Sequence, residues 1–331
     1  MHKLMLVIVG ILVFSVATLA QEIGPEAPIL GKGTLGLNGL AVLEVALPTE
    51  YSYNPAAIPM ALKMFKEKVY AEADYGVLNF QKGPKVVNTW QLVAWQLKDH
   101  SAVRLARYSV NSNRRPIAFL GDGPQVEFQG ETFEVSYGRF ISSKATVGIA
   151  IVPHEKVRTS LTTPETTLAQ AEAKSDFHTR IGGLYLVSSN LSLGLVYTQD
   201  DIDATTRLYP ALTGLSGTTN LSGDYKEKLW TTGFGYQPKL GTVVFFAWQK
   251  GKIVGPNLSE AINLKAYGVQ QYFNPRLAVR VGVYDRVPGY EVTYSNRGWT
   301  FGASYSKSTY RRTEEYLGRA DTMYLWTGKS W

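Results

Sequence analysis

Apolar residues recur at every second position over most of the chain, and this pattern constrains the fold more than any other feature. In the segments 191–197, 277–283 and 299–305, each alternate residue is apolar and the residues between are mostly small or polar. Successive side chains of a β-strand point to opposite faces, so such a segment is a strand with one apolar face. The sequence therefore predicts an all-β protein from about residue 69 onward.

The length and number of these segments favour a membrane barrel over a water-soluble sandwich, which shows the same alternation. Many span 9–13 residues, whereas soluble strands average about 5–6 and tilted membrane strands need about 9–11. The second face is rich in Gly, Ser, Thr and Arg, as a polar lumen requires. We count fourteen segments: 69–80, 86–97, 102–110, 125–139, 144–152, 177–188, 191–199, 226–237, 242–250, 261–273, 276–285, 289–296, 299–309 and 320–327. We predict a transmembrane antiparallel β-barrel of about 14 strands.

The connections between segments alternate in length, as the two ends of such a barrel do. Residues 188–190 and 274–275 are tight turns, whereas 153–176 and 200–225 are long enough to be loops. Thr163 followed by Pro164 is a good helix start. We therefore expect a short helix over 164–174 within the first of these loops.

Residues 1–20 have the pattern of a cleavable signal peptide. Lys3 precedes an apolar run from Leu4 to Ala17, and small residues stand before Gln21. A single membrane anchor is the alternative, but the run is short for a span of roughly 17–25 residues. After residue 20 no apolar run approaches the length of a helical span, and mean hydropathy is −0.10. We predict export to the bacterial outer membrane.

Composition agrees with that compartment. The chain has no cysteine, which excludes a disulfide framework. The net charge of +7 falls to +6 when Lys3 is removed with the signal peptide. Its basic residues are scattered, so we expect no nucleic-acid partner. The 20 Tyr and 7 Trp suit a membrane interface, and the aromatic Trp331 at the end weakly supports recognition by the barrel assembly machinery.

Residues 21–66 lack the alternation and form a separate segment. Asn54 is a good N-cap, and Pro55 is preorganised for the first helical position. A short helix over Ala56–Phe65 is expected, with a kink at Pro59 as an option. An ordinary capped surface helix would have the same sequence.

The order of parts resembles the outer-membrane fatty-acid transporter family of FadL and TodX, and the related PorV-like barrels. These proteins share a signal peptide, a Gly/Ala-rich stretch and an Asn-Pro-Ala motif ahead of the first strand. The matching residues are Asn54, Pro55 and Ala56. The resemblance implies a signal peptide over 1–20, a plug (hatch) over 21–66 folded inside, and a barrel over 67–331. It further implies passive uptake of hydrophobic molecules such as long-chain fatty acids.

Several charged residues are expected to point into the lumen. They are Arg180, Arg276 and Arg280, with the acids Glu72, Asp74, Glu134 and Glu291. The arginines are able to hold a ligand carboxylate or to pair with these acids. We favour pairing, because charges inside small barrels usually neutralise one another.

No enzymatic chemistry stands out. Residues 99–101 (Asp-His-Ser) combine the residue types of a hydrolase relay, but adjacent side chains diverge, so we interpret them as a turn. Asp200, Asp201 and Asp203 lack the further ligands of a calcium site and are interpreted as a solvated loop. We expect no catalytic residue, metal or cofactor. The leading hypothesis is a monomeric transporter surrounded by outer-membrane lipids. The alternative is a structural or secretion-associated PorV-like barrel that binds protein partners.

Overall fold

The computed structural model of the chain describes most of the predicted barrel and part of the predicted plug. The described residues are 54–64, 68–81, 85–98, 100–113, 115–116, 124–188, 190–214, 216–239, 241–256, 258–274, 276–284, 287–308 and 320–331. The predicted signal peptide and the predicted plug up to residue 53 lie outside these ranges.

Fifteen strands and two helices occur in the described residues. The strands are β1 Val69–Phe80, β2 Lys85–Lys98, β3 Ser101–Ser112, β4 Arg115–Pro116, β5 Gln125–Ser142, β6 Ala145–Thr162, β7 Thr167–Ser188, β8 Leu191–Leu208, β9 Thr219–Lys239, β10 Thr242–Gly255, β11 Leu258–Asn274, β12 Leu277–Tyr284, β13 Val287–Asn296, β14 Trp299–Ser308 and β15 Ala320–Ser330. The helices are α1 Ala57–Met64 and α2 Pro210–Thr213. Neither helix is long and apolar enough to cross a membrane.

Fourteen of these strands form one closed antiparallel barrel. Each pairs with its neighbours along the chain, and β3 pairs directly with β5. The barrel closes where β1 pairs with β15, from Tyr70↔Ser330 to Phe80↔Ala320. The two-residue β4 pairs with the start of β5 and stands outside this count. Closure pairs the strand edges with each other, which lipid requires because it offers backbone groups no other partner. The predicted fourteen-stranded barrel is confirmed.

Each strand turns one row of side chains inward and the other outward. On β13, Glu291 and Thr293 are buried, whereas the intervening Val292 and the preceding Tyr290 are about half exposed. The same alternation holds on β1, where Glu72 and Asp74 are buried. Buried positions along each strand are inward, and exposed positions are outward.

The two ends of the barrel differ in their connections. At one end, two residues separate β10 from β11 and β12 from β13, and the other connections between barrel strands are longer. At the opposite end, every connection between consecutive strands has two residues: β2 to β3, β5 to β6, β7 to β8, β9 to β10, β11 to β12, and β13 to β14. The start of β1 also lies here, beside the chain terminus, because the Val69 N–H donates to the Trp331 carbonyl at 3.0 Å. We call this the turn end and the opposite end the loop end.

An apolar belt covers the outward face near the turn end. On β7 the outward residues Phe177, Ile181 and Tyr185 are about half exposed, and the next outward residues towards the loop end are Glu172 and Lys174. Strands β5–β9 contain 18–22 residues, about twice what a bilayer needs. They therefore project beyond the belt. We call this projecting part, residues 125–132, 155–162, 167–175, 200–208 and 219–228, the wall extension.

The wall extension corrects two predicted loops. Residues 153–176 form the ends of β6 and β7 with a tight turn between them, where the Thr163 N–H donates to the Thr166 carbonyl at 2.7 Å. The predicted helix over 164–174 is wrong. Residues 200–225 likewise continue β8 to Leu208 and start β9 at Thr219. The Ala, Gln, Glu and Lys of residues 169–174 favour a helix. In the strand they alternate, with alanine facing inward and polar residues facing water.

Candidate functional site: the barrel interior

Asn54 starts helix α1 through its side chain and its backbone. Its Oδ1 accepts a hydrogen bond from the Ala56 N–H at 3.0 Å, and its carbonyl accepts one from the Ala57 N–H at 3.0 Å. Pro59 is the third helical residue, so it lies in the first turn, where an N–H has no intrahelical partner. A proline at this position removes no helical hydrogen bond, and the helix needs no kink to accommodate it.

Three glycines on neighbouring strands form the seat for this motif. Gly138 on β5 pairs with Gly148 on β6, which pairs with Gly182 on β7. A Cβ at Gly148 would lie 2.4 Å from the Pro55 carbonyl carbon, and one at Gly182 would lie 2.0 Å from the Asn54 Oδ1. The backbone of the motif therefore touches the wall where side chains are missing. We call these residues the glycine seat.

The position of the seat places α1 inside the barrel, near the turn end. The Asn54 Nδ2 donates to the Gly183 carbonyl at 3.3 Å. The helix buries an apolar set consisting of Ala57, Ile58, Met60 and Leu62, each no more than 2% exposed. The described part of the predicted plug, residues 54–64, thus packs against the inner wall.

A buried ion cluster lies next to the plug. Glu134 on β5 contacts Arg104 on β3 and Arg180 on β7, and Arg104 also donates to the Ser136 hydroxyl at 3.0 Å. Arg104 and Arg180 are fully buried, and Glu134 is 1% exposed. Buried charges are tolerated when they are paired and hydrogen-bonded. A single carboxylate here holds two guanidinium groups and joins three strands from within.

The other two arginines predicted to face the lumen, Arg280 and Arg276, lie in different environments. Arg280 on β12 is buried, donates to Gln270 through its Nε at 3.0 Å, and lies 3.7 Å from Glu291. Arg276 instead lies exposed in the turn before β12, and its N–H donates to the Asn274 Oδ1 at 2.8 Å. The alternation places Arg276 inward only if the strand begins at residue 276. The strand begins one residue later, and the asparagine-capped turn directs Arg276 outward.

A second buried cluster consists of Glu155 on β6, His178 on β7 and Asp200 on β8. The His178 Nδ1 lies 2.7 Å from a Glu155 oxygen and 3.6 Å from an Asp200 oxygen. The Ser175 hydroxyl donates to the other Asp200 oxygen. Asp200 is therefore an inward strand residue and not the start of a solvated loop, and the sequence-based interpretation of this acid is corrected.

The wall extension has an apolar inner surface. Its buried apolar side chains are Val126, Phe128, Val157, Leu161, Ala169, Ala171, Ala173, Ile202, Ala204 and Leu208. Its outward positions carry charged and polar groups, such as Lys156 and Arg158 on β6. Beyond the membrane belt the barrel is thus polar outside and mostly apolar inside, although the acids Glu155, Asp200 and Glu227 also face inward at its base.

Several solved structures have a similar fold. TbuX, a toluene transporter of Ralstonia pickettii, has a TM-score of 0.62 at 12% identity, covering 92% of this chain and 98% of its own. The monoaromatic hydrocarbon channel CymD has a TM-score of 0.58 at 12% identity, covering 92% and 98%. A FadL homologue of Pseudomonas aeruginosa has a TM-score of 0.57 at 12% identity, covering 94% and 97%. The chain has a FadL-type barrel fold. No protein-family model and no curated protein matches it.

Within this FadL-type barrel, sequence reasoning missed the glycine seat and the Glu155–His178–Asp200 cluster. The seat has no local signature, because Gly138, Gly148 and Gly182 are brought together only by strand register. One feature of the sequence points to the cluster: His178 and Asp200 both occupy inward positions in the alternation of their strands. The register of β7 and β8 pairs them directly. Assigning 200–225 to a loop concealed that pairing. His100 lies exposed in the β2–β3 turn, at the position expected for residues 99–101.

Proposed function

We propose that the chain is an outer-membrane barrel for passive uptake of hydrophobic small molecules, with long-chain fatty acids among them. The observation that carries the proposal is the wall extension, which turns mostly apolar side chains inward beyond the membrane belt. Burying apolar area from water is favourable by about 25 cal/mol per Å². A hydrophobic molecule arriving from the medium would gain this free energy by entering the barrel before it meets the bilayer.

The glycine seat supports selective passage rather than an open aqueous pore. It fixes residues 54–64 against the inner wall near the turn end, which in bacterial barrels faces the periplasm. Next to this helix lies the Arg104–Glu134–Arg180 ion cluster, which binds water and ions better than hydrocarbon. A plug and a charged layer behind an apolar entrance favour small hydrophobic cargo over bulk solutes.

The names of the neighbouring structures agree with this proposal. TbuX is a toluene transporter and CymD a monoaromatic hydrocarbon channel. We infer the same broad class of cargo here, a non-enzymatic role, and a monomer inserted among outer-membrane lipids by the barrel assembly machinery. Export by the signal peptide over residues 1–20 stays a prediction.

The test compares uptake in cells that lack their own transporter. Labelled oleate and labelled toluene are supplied to cells expressing the wild type, Leu161→Asp or Ser160→Asp. Leu161 is 2% exposed on the inner surface of the wall extension, and Ser160 is the neighbouring outward residue. We expect the wild type and Ser160→Asp to accelerate uptake of at least one probe, and Leu161→Asp to slow it. Barrel folding of each variant is checked by the mobility of unheated samples in electrophoresis.

A second measurement separates transport from the PorV-like alternative. The full-length protein is extracted in detergent and its bound molecules are identified by mass spectrometry. A copurified hydrophobic compound supports transport. Uptake no faster than in cells without the barrel, together with a stoichiometric copurified protein, would favour the partner-binding role and overturn the proposal.

A further inference from the structure

The cluster of Glu155, His178 and Asp200 lies inside the barrel, where the wall extension begins on β6 and β8. The three residues are 2%, 2% and 6% exposed. One ligand atom from each, the imidazole nitrogen and two carboxylate oxygens, lie within 4.8 Å of one another. We propose that these three residues form a binding site for a divalent transition-metal ion, with Zn²⁺ the best fit.

An interruption of the sheet brings the three side chains together. The β6–β7 pairing is regular up to Val152↔His178 and resumes at Lys156↔Lys174, and the described residues between these pairs show no pairing. Pro153 lies in this gap and supplies no N–H for a ladder. The inward row of β6 shifts from Val152 to Glu155 across the gap, so a carboxylate reaches the interior beside His178. Such irregularities in strands are common next to functional sites, where they redirect a side chain.

The His178–Glu155 distance is that of a hydrogen bond, whereas the His178–Asp200 distance is close to the spacing of two ligands on one metal ion. Nδ1 of His178 faces one oxygen at 2.7 Å and another at 3.6 Å, and one ring nitrogen has a single proton to donate. Zn²⁺ binds nitrogen and oxygen ligands at about 2.0–2.2 Å, which places tetrahedral ligand atoms roughly 3.4 Å apart. The 3.6 Å separation already meets this spacing. The 2.7 Å separation meets it after a movement of under about 1 Å by the Glu155 carboxylate.

The surroundings favour a cation. The Ser175 hydroxyl donates to the Asp200 oxygen on the far side from His178, as partners of metal ligands do when they fix a carboxylate. Glu227 on β9, 4% exposed, pairs in register with Asp200. Among the buried side chains of the described residues, seven are acids and three are arginines. This negative balance attracts positive ions.

The ligand set selects the kind of ion. An imidazole nitrogen with two carboxylates suits Zn²⁺ and its neighbours in the first transition row, whereas Ca²⁺ and Mg²⁺ prefer oxygen ligands alone. Three protein ligands leave a fourth tetrahedral position for water. A bound ion would join β6, β7 and β8 from inside the barrel.

The test uses the full mature chain, without an affinity tag, in detergent micelles. Bound metal is removed with a chelator, and Zn²⁺ is titrated in competition with a chromophoric indicator. We expect one high-affinity Zn²⁺ per chain, visible absorption typical of tetrahedral coordination when Co²⁺ replaces it, and a rise in Tm on binding. Failure of the wild type to bind Zn²⁺ would overturn the proposal by itself.

Matched variants locate the ion. His178→Gln and Asp200→Asn are expected to weaken Zn²⁺ binding by at least about tenfold. His154→Gln and Asp203→Asn, on the outward faces of the neighbouring strands β6 and β8, should bind as the wild type does. Glu155→Gln, which keeps the imidazole, replaces His178→Gln if that variant fails to fold. Equal affinity in the wild type and the folded inward variants would contradict the site.

Discussion

Asn54 and Gly182 approach so closely that a Cβ on the glycine would lie 2.0 Å from the asparagine Oδ1. The two residues are 128 positions apart in sequence. The same Oδ1 accepts the Ala56 N–H at the start of α1, and the Nδ2 of Asn54 donates to the Gly183 carbonyl at 3.3 Å. One side chain therefore both starts the helix and attaches it to β7. The missing Cβ of Gly182 makes this attachment sterically possible.

Gly182→Ala should loosen the plug. The added methyl group forces Asn54 to move, which strains both hydrogen bonds, and overpacking of this kind typically costs about 1–3 kcal/mol. We expect a lower free energy of unfolding in urea and faster proteolysis after residue 54. Gly183→Ala is the matched control, because a Cβ there meets nothing within 4 Å. Similar behaviour of the two variants would argue against the glycine seat.

Most of the barrel could be predicted from sequence, because alternation reports directly on which face of a strand meets an apolar environment. Each of the fourteen predicted segments overlaps one strand of the barrel. The strand ends in the wall extension could not be predicted in this way. There the outward face meets water and the inward face is largely alanine, as at 169–173, so the apolar contrast weakens and helix propensity misleads.

The interior was less predictable, since it depends on register. Arg180 and Arg280 lie inward, as the alternation along their strands predicts. Arg276 does not, because it lies in the turn before β12 and not in the strand. The contacts among Arg104, Glu134 and Arg180 depend on the register of their strands, and no local sequence pattern predicts that register. Pro153 marks the place where parity shifts on β6, although the sequence alone does not indicate the direction of that shift.

Glu134→Gln should destabilise the barrel strongly. It leaves two fully buried guanidinium groups beside a neutral amide, and removing one partner of a buried pair typically costs about 3–5 kcal/mol. Glu131→Gln is the control on the same strand. Its pair with Arg107 spans 3.1 Å with side chains 50% and 59% exposed, so its loss should cost under about 1 kcal/mol. Urea unfolding in lipid vesicles measures both, and equal costs would contradict a structural role for the ion cluster.

Ile149→Arg tests the membrane belt. Ile149 lies outward on β6 between Val147 and Ile151, all of them exposed. An arginine facing lipid near the middle of a bilayer costs about 2–4 kcal/mol, and the cost falls to about 0–1 near the interface. Ser160→Arg places the same charge outward on the same strand, in the wall extension. The free energy of unfolding in vesicles should drop only for Ile149→Arg, and equal losses would place the belt elsewhere.

Glu172 should make the wall extension sensitive to acid. Partial burial alone would raise the pKa of this carboxyl group, but hydrogen bonds and charges from Lys156 and Arg158 outweigh that effect and hold the pKa below its ordinary 4.5. A pKa lowered on folding stabilises the folded state above the unfolded value and loses this contribution as the pH falls through the folded value. The wild type should therefore be more stable than Glu172→Gln at neutral pH, and the difference should shrink below pH 4.5.

Unfolding midpoints in urea across this range measure the effect. Glu165→Gln, in the exposed β6–β7 turn, is the control, and a Glu172→Gln difference that stays constant down to low pH would refute the ion-pair explanation.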